Sequence, residues 1–179
     1  MDLKEKKLKS ELIYEGRVVT LYKDDVLCPN GNKSIREVVR HTKGACILCI
    51  NDKNEVYVIK QYRYPYDDII YELPAGKADE GEDPSVTCVR ELEEEAGLKA
   101  LNIIPLGSMY PSCGYTDEII YLYLCDKFVE TKKHFDFDEA LEGKFIPFDE
   151  LIEMIKNDTF KDAKGICAVA RYMMMKNIK

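Results

Sequence analysis

The sequence comprises 179 residues, a length that suits one domain with room for a small appended lobe. Acidic residues exceed basic ones and give a formal net charge of −7, which argues against nucleic acid or an anionic membrane as the main partner. No stretch approaches the roughly 20 apolar residues that span a bilayer, and the charged first residues lack the apolar region of a signal peptide, so we expect a cytoplasmic protein with no membrane partner.

The N-terminal part of the chain has the pattern of β-strands. Residues 1–9 are predicted to be frayed or weakly helical, and apolar residues then alternate with polar ones from Ser10 to His41. The turn cluster Pro-Asn-Gly-Asn at 29–32 separates two of these runs and predicts a β-hairpin. We therefore expect a small β lobe at this end of the chain.

A second hairpin is predicted around residues 52–54, with the run ACILCIN before the turn and EVYVIKQYRY after it. Cys46 and Cys49 form a CxxC pair in the first run, but no second pair or nearby histidine cluster completes a zinc site. Positions three apart in a buried strand face opposite sides, so we expect both cysteines to be core residues. The chain has seven scattered cysteines, an odd number that favours reduced thiols over a disulfide framework.

The middle of the chain contains the first clear helix, from Asp83 to Ala96. Asp83 suits the N-cap, Pro84 the first helical position and Gly97 the end of the helix. A short strand is predicted just before this helix, within DIIYELPAGK. After it we expect strands in 100–110, 119–128 and 144–148, a loop over 111–118, an acidic connector over 135–143, and helices over 149–158 and 162–176. This succession predicts an α/β fold in which a mixed β-sheet is sandwiched between helices.

Three glutamates share one face of the central helix. At about 100° per residue, Glu95 lies roughly 40° from Glu91 on one side and Glu94 roughly 60° from it on the other. Carboxylates at these spacings repel one another by roughly 0.2–0.5 kcal/mol per pair. Taken alone, the cluster is either a solvated charged face or a site for a hard divalent cation that bridges to phosphate oxygens. The apolar stripe that is predicted to pack on the sheet comprises Val89, Leu92 and Ala96.

The segment around this face resembles the Nudix box, GX5EX7REUXEEXGU, in which U is a bulky aliphatic residue. Every specified position is matched, by Gly76, Glu82, Arg90, Glu91, Leu92, Glu94, Glu95, Gly97 and Leu98. The resemblance implies that Arg90 pairs with Glu82 and braces the loop, while Gly76 lets the loop turn tightly before the helix. It identifies the chain as a member of the Nudix hydrolase family and favours the divalent-cation interpretation of the glutamates.

The resemblance also implies the ligands of the cation. Glu91, Glu94 and Glu95 match the family's metal-binding carboxylates, and the backbone carbonyl of Ala75, just before the box, matches a further ligand. The implied ion is Mg²⁺, with Mn²⁺ as an alternative. Glu94 is in addition a candidate catalytic residue.

The motifs outside the box are similar to the ADP-ribose pyrophosphatase branch of the family. They are REVVRHTKGAC, VIKQYRYP, YELPAGK, PSCGYTDE and FKDAKGICAV. In that branch the N-terminal strands are exchanged between two subunits, which implies a homodimer, with residues 1–42 as the dimerising β lobe and 43–179 as the hydrolase domain. One departure is Cys113, which stands where the branch usually carries a proline that marks a preference for ADP-ribose.

Three further site residues follow from this similarity. Arg63, in QYR, and Glu118, in GYTDE, are candidates for binding the substrate, although Arg63 would equally suit a strand-end arginine paired with a surface acid. The branch takes its general base from an acidic loop after the box, and in the matching connector we select Glu139, for which a solvated loop acid is the alternative.

The implied activity is Mg²⁺-dependent hydrolysis of the diphosphate bond of a nucleoside-diphosphate sugar, with ADP-ribose split to AMP and ribose 5-phosphate. One alternative is hydrolysis of another nucleotide sugar or a dinucleotide. A second, from a different class, is a regulator with the Nudix fold that binds a nucleotide without cleaving it. The intact glutamates of the box argue against the regulator.

Overall fold

The computed structural model describes residues 2–133 and 140–178, and these divide into two compact units. The first unit comprises residues 1–42 together with 110–119, and the second comprises residues 43–109 together with 120–179. The segment 110–119 therefore joins the N-terminal strands rather than the strands that flank it in sequence.

The first unit is built on a three-stranded antiparallel sheet in the order β1-β2-β3. Its strands are β1 (Lys6–Glu15), β2 (Thr20–Leu27) and β3 (Lys33–Arg40). The hairpin between β2 and β3 confirms the prediction from the turn cluster, in which Gly31 has a φ of 85°. The expectation that residues 1–9 are frayed or weakly helical is wrong, since β1 begins at Lys6 and pairs with β2. The hydrogen bonds of that pairing come from β2, and the local sequence of residues 1–9 does not reveal them.

The second unit contains the remaining strands. They are β4 (Gly44–Cys49), β5 (Glu55–Arg63), β6 (Asp68–Glu72), β7 (Ala75–Lys77), β8 (Leu98–Ala100), β9 (Ile104–Met109), β10 (Ile120–Cys125), β11 (Phe128–Glu130) and β12 (Leu141–Pro147). They form sheets in the orders β7-β4-β10-β9, β12-β5-β6 and β11-β8. The β4 and β10 strands are parallel and the other pairs antiparallel, so the first of these sheets is mixed, as predicted.

Three α-helices of the described residues complete the second unit, namely α1 (Pro84–Ala96), α2 (Phe148–Lys156) and α3 (Ala163–Lys176). They lie within two residues of the predicted boundaries. None of the helices in the described part of the chain combines the length and apolarity that crossing a membrane requires.

The predicted second hairpin is present only at its turn, where the amide of Asn51 donates to the carbonyl of Glu55, and its two strands do not form a ladder. The β4 and β5 strands lie in different sheets and share only the isolated bridge between Ile50 and Val56. The β4 strand pairs instead with β7 and β10, whereas β5 pairs with β6 and β12. The β4 strand is buried along its whole length and β5 over residues 56–59, and each of them pairs with strands on two sides.

The two faces of β4 pack against different helices. Cys46 and Leu48 belong to a core cluster that includes residues of α2 and α3, whereas Ile47 and Cys49 belong to a cluster with residues of α1. The sheet is therefore sandwiched between helices, which confirms the predicted α/β architecture. Cys46 and Cys49 face opposite sides, as predicted, and burial raises the pKa of the Cys46 thiol well above its usual range.

Candidate active site

The α1 helix begins and ends at the predicted residues. The side chain of Asp83 accepts a hydrogen bond from the backbone amide of Ser85, Pro84 occupies the first turn, and Gly97 closes the helix in the left-handed conformation with a φ of 67°. One face of the helix, formed by Cys88, Leu92 and Ala96, packs in the core with β4. This packing fixes the rotation of the helix and so decides where its glutamates point.

Two of the three glutamates are held inside the molecule. Only 9% of Glu91 and 2% of Glu95 is exposed, while Glu94 is partly exposed. The backbone amide of Ala75 donates a hydrogen bond of 3.1 Å to Oε2 of Glu95. A Cβ atom on Gly76 would lie 1.9 Å from Oε1 of Glu91, so only glycine leaves room for this carboxylate. The residue before the box and the box glycine therefore form a cradle for the glutamates.

The cradle is positioned by sheet pairing. Ala75 and Gly76 open β7, which pairs antiparallel with the central strand β4, in the register Cys46↔Ala75 and Ala45↔Gly76. The β4 strand is buried along its whole length and packs on α1. The backbone beside Glu91 and Glu95 is thus hydrogen-bonded to a buried central strand.

Arg90 connects the loop before α1 to the glutamates. Its Nε and Nη2 donate to the two carboxylate oxygens of Glu82, and Nη2 also donates to the carbonyl of Lys77. Its Nη1 lies 2.8 Å from Oε1 of Glu91 and 2.9 Å from Oε2 of Glu94. The contact between Arg90 and Glu82 is the one that the resemblance implies. One guanidinium therefore braces the loop and offsets the repulsion between two of the clustered carboxylates.

The pairing with Arg90 has a measurable electrostatic consequence. Hydrogen bonds from Arg90, followed by those from the Asp79 amide and the Thr87 hydroxyl, lower the pKa of Glu82 to about 2. The same interaction raises the pKa of Arg90. Glu82 is therefore ionised over the whole physiological pH range.

The donor set on this face suits a hard divalent cation. Glu91, Glu94 and Glu95 supply carboxylate oxygens, and the adjacent Ala75 supplies a backbone carbonyl, which are the ligand types that Mg²⁺ prefers. Two buried carboxylates beside a backbone cradle are costly unless cations or donors compensate them. In the described residues the side chains do not converge into a cage of three or more ligands. The face fits an ion by the chemistry of its oxygens.

A second charged group in the same unit surrounds Arg63. Arg63 lies at the end of β5 and donates through Nε and Nη2 to the two carboxylate oxygens of Glu72, the last residue of β6. Lys164 donates to Glu72 as well and lies 2.9 Å from Oδ1 of Asp162. The sequence interpretation anticipated a surface acid as the alternative partner of Arg63, but Glu72 is buried. Glu72 and Lys164 are 92 residues apart, so no local sequence pattern indicates that they meet.

The remaining predicted residues lie elsewhere. Glu118 belongs to the first unit, where its carboxylate is 3.4 Å from Nδ1 of His41, and Cys113 is exposed in the same unit. Glu139, the predicted general base, lies outside the described residues. The structure therefore brings together the glutamates, Ala75, Gly76 and the Arg90 brace within the second unit, and it leaves the role of Glu139 as a prediction.

Comparison with known protein families gives two matches that together cover most of the chain. The family described as "NUDIX domain" matches residues 40–169. The family described as "Nucleoside diphosphate sugar hydrolase N-terminal domain" matches residues 5–39. The boundary between these matches falls at the end of β3.

Individual relatives align along almost the whole chain. The chain is 35% identical to an ADP-ribose pyrophosphatase of Bacillus subtilis (strain 168), with 97% of this chain and 95% of the relative covered. It is 40% identical to a methanol dehydrogenase activator of Bacillus methanolicus, with 98% and 96% covered. Among solved structures, an ADP compounds hydrolase superposes with a TM-score of 0.87 at 20% identity, covering 98% of this chain and 97% of that one, which supports the fold.

Proposed function

The chain belongs to the Nudix family of hydrolases that act on diphosphate bonds, and we propose that it hydrolyses a nucleoside-diphosphate sugar, ADP-ribose in particular, with Mg²⁺. The observation that carries the proposal is the pair of buried carboxylates, Glu91 and Glu95, held against the backbone of Ala75 and Gly76. The similarity to the ADP-ribose pyrophosphatase of B. subtilis supports ADP-ribose as the substrate.

Glu91, Glu94, Glu95 and the carbonyl of Ala75 would hold the ion. Nudix hydrolases generally need a divalent metal, and oxygen donors favour Mg²⁺, with Mn²⁺ as an alternative. A bound divalent ion would neutralise charge on the diphosphate and lower the pKa of a coordinated water. Gly76 keeps the space that the carboxylate of Glu91 occupies, and Arg90 holds Glu91 and Glu94 at a fixed distance from the loop.

Further side chains are proposed to bind the substrate and to take a proton from the attacking water. Arg63 is proposed to donate hydrogen bonds to the diphosphate, and Glu118 to contribute to substrate binding. A carboxylate, which we assign to Glu139 with Glu94 as the alternative, takes a proton from the attacking water. The water oxygen bonds to one phosphorus as the bridging oxygen leaves, so that ADP-ribose gives AMP and ribose 5-phosphate.

We further propose that residues 1–42 form a dimerising lobe, that residues 43–179 form the hydrolase domain, and that the enzyme acts as a homodimer on a small molecule. The β1 strand is exposed along its whole length, which leaves a sheet edge available to a second subunit. Seven separate free thiols suit a reducing compartment, and we propose the cytoplasm.

A product assay tests the substrate proposal. The purified chain is incubated with ADP-ribose, other ADP-sugars and GDP-sugars, with and without Mg²⁺, and kcat/KM is measured for each compound. We expect AMP and ribose 5-phosphate from ADP-ribose only when Mg²⁺ is present. Rapid cleavage of a GDP-sugar together with inert ADP-ribose would leave the family assignment intact and overturn the proposed substrate.

A second candidate function is a nucleotide-binding regulator of another enzyme. The observation in its favour is the 40% identical relative whose name describes an activator. A regulator without turnover would be stabilised by ADP-ribose in a thermal-shift assay but would release no AMP with Mg²⁺. We expect release of AMP at a catalytic rate, since the ligand carboxylates of the box are all present. That result would favour the hydrolase over the regulator.

A further inference from the structure

Arg63 is connected to the core by a continuous series of charged contacts. The series starts at Asp162, the N-cap of α3, whose Oδ2 accepts a hydrogen bond of 3.1 Å from the amide of Gly165. Oδ1 of Asp162 holds the ammonium of Lys164, which donates to Glu72, and Glu72 receives two hydrogen bonds from Arg63. Each member thus fixes the next one.

The first three side chains of this series are mostly buried and the fourth is not. The exposed fraction is 11% for Asp162, 15% for Lys164 and 4% for Glu72, but it reaches 40% for Arg63. Two carboxylates and two cations make the group neutral, which is the condition under which buried charges are tolerated. The inner three members are therefore a rigid base, and Arg63 is the member that reaches solvent.

The contacts leave one edge of Arg63 available. Its Nε and Nη2 are occupied by Glu72, whereas Nη1 has no acceptor among the residues that the structure describes. A guanidinium held through one edge presents the other edge in a fixed direction, which suits an anion with several oxygens. Lys164, in contrast, is already engaged by Glu72 and Asp162.

The electrostatics agree with this geometry. Burial alone would lower the pKa of Lys164, but Asp162 and Glu72 outweigh it and raise the pKa, so the ammonium stays charged. Burial would likewise raise the pKa of Glu72, but Arg63 and Lys164 outweigh it and the pKa is lowered. All of the contacts around Glu72 are therefore between charged groups.

We propose that Lys164 is a positioning residue for substrate binding: it fixes Glu72, with Asp162 behind it, so that Arg63 presents its outer edge to the diphosphate. This inference rests on the proposed function, in which Arg63 binds the diphosphate. Lys164 itself does not touch the substrate. Its contribution depends on the presence of Arg63.

A double-mutant cycle tests this dependence. KM and kcat for ADP-ribose are measured for Lys164→Met, Arg63→Ala and the double variant, with Lys164→Arg as the conservative change and Lys161→Met, an exposed lysine nearby, as the matched control. We expect Lys164→Met to raise KM about tenfold and to change kcat less than about threefold. In the Arg63→Ala background the same change should alter KM less than about twofold, because the effect acts through Arg63. Lys164→Arg should restore most of the affinity, and Lys161→Met should leave KM unchanged.

Three outcomes would overturn the proposal. Equal effects of Lys164→Met with and without Arg63 would mean that Lys164 contacts the substrate directly. A lower melting temperature with unchanged KM would mean a structural role alone. A large loss in kcat at constant KM would place Lys164 in the chemical step.

Two further measurements keep the test decisive. If Lys164→Met does not fold, it is combined with Asp162→Asn, which leaves Glu72 and Arg63 as a neutral pair and retains an N-cap for α3. The dissociation constant of an ADP-ribose analogue with a methylene bridge, which cannot be hydrolysed, is measured for the same variants. If the variants show the expected pattern of dissociation constants but wild type does not turn over ADP-ribose, the proposed hydrolysis is contradicted and the positioning role is supported. If wild type fails to bind the analogue, the positioning role is overturned.

Discussion

Arg90 shows how a single residue makes the glutamate face tolerable. Like charges on one helix face destabilise the helix, yet Glu91 and Glu94 both receive hydrogen bonds from the same guanidinium, and the other edge of this guanidinium is bound to Glu82. The planar fork of arginine can do this because it offers several donors in fixed directions. The positive charge of Arg90 therefore organises the face formed by these glutamates.

The substitution Glu95→Gln tests the metal-binding role of this face. Glutamine keeps an oxygen that can accept the hydrogen bond from Ala75, but it removes the negative charge from a carboxylate that is only 2% exposed. We expect turnover with Mg²⁺ to fall on the order of 100-fold while the melting temperature without metal stays equal or rises. The matched control is Glu93→Gln, which lies on the opposite side of the helix. Near-wild-type turnover of Glu95→Gln would disprove the assignment.

The Glu82 carboxyl predicts a pH dependence of stability. Its pKa in the folded protein is about 2, against an ordinary value of 4.5. A lowered folded pKa means that the stabilisation is complete above about pH 4.5 and is lost as the pH falls towards 2. Glu82→Gln should therefore lower the free energy of unfolding by about 1 kcal/mol at pH 7, and the difference from wild type should shrink as the pH falls below 4.5.

Urea unfolding at a series of pH values measures this difference. The matched control is Glu80→Gln, which removes an exposed acid of the same loop. A constant difference between wild type and Glu82→Gln from pH 7 down to pH 3 would mean that the contact with Arg90 does not set the ionisation of Glu82.

At the scale of elements, α1 and β7 determine the geometry of the site together. The helix buries one face against β4, and β7 pairs with the same strand. The β4 strand therefore positions both the helix and the backbone of Ala75 and Gly76. The N-cap Asp83 and the terminal Gly97 fix where the helix begins and ends. A shift of the helix by one residue would rotate its glutamates by about 100° away from Ala75 and Gly76.

The end of α1 provides a test of this element. A Cβ on Gly97 would lie 3.0 Å from Cγ of Lys133 and 3.1 Å from the carbonyl oxygen of Thr131, at a φ of 67°. Gly81 has a similar φ of 79° but open space around it, so it isolates the backbone strain. We expect Gly81→Ala to cost about 1 kcal/mol of unfolding free energy and Gly97→Ala about 2 kcal/mol. Equal costs in chemical denaturation would show that the neighbours of Gly97 give way freely.

At the scale of the whole molecule, the first unit has very little core of its own. In its described residues only Asp24 and Val26 are buried, while Leu12, Ile13 and Tyr14 of β1 are at least half exposed. Small sheets with so few buried side chains are marginally stable in isolation. This composition supports the proposal that a second subunit covers the sheet.

Size measurement by light scattering at low micromolar concentration tests the dimer. We expect a particle of twice the 20.7 kDa chain mass for wild type. Replacing Leu12 and Tyr14 by lysine should shift the protein towards monomer, because two charges would enter the apolar contact. Leu101→Lys, at an exposed leucine of the second unit, serves as the control and should remain dimeric. A monomeric wild type at this concentration would contradict the proposal.

The features of this protein that can be predicted from its sequence are those that depend on residues close together along the chain. The caps and bounds of α1, the hairpin between β2 and β3 and the shared face of Glu91, Glu94 and Glu95 all follow from interactions within one or two turns of the chain. The box spans one loop and one helix, so the spacing of its residues also indicates the family to which the chain belongs. Local backbone preference and helical periodicity act over the same short distance, which is why these predictions succeeded.

The contacts between distant segments depend on how the whole chain packs. No local feature of the sequence indicates that β4 pairs in parallel with β10 rather than with its neighbour β5. Nor does one indicate that β1 forms a strand by pairing with β2. The contact between Glu72 and Lys164 spans 92 residues, so no spacing rule could reveal it. Strand partners and buried ion pairs depend on the free energy of the whole packed structure. Each buried polar group needs a partner, and that partner can lie far away along the sequence.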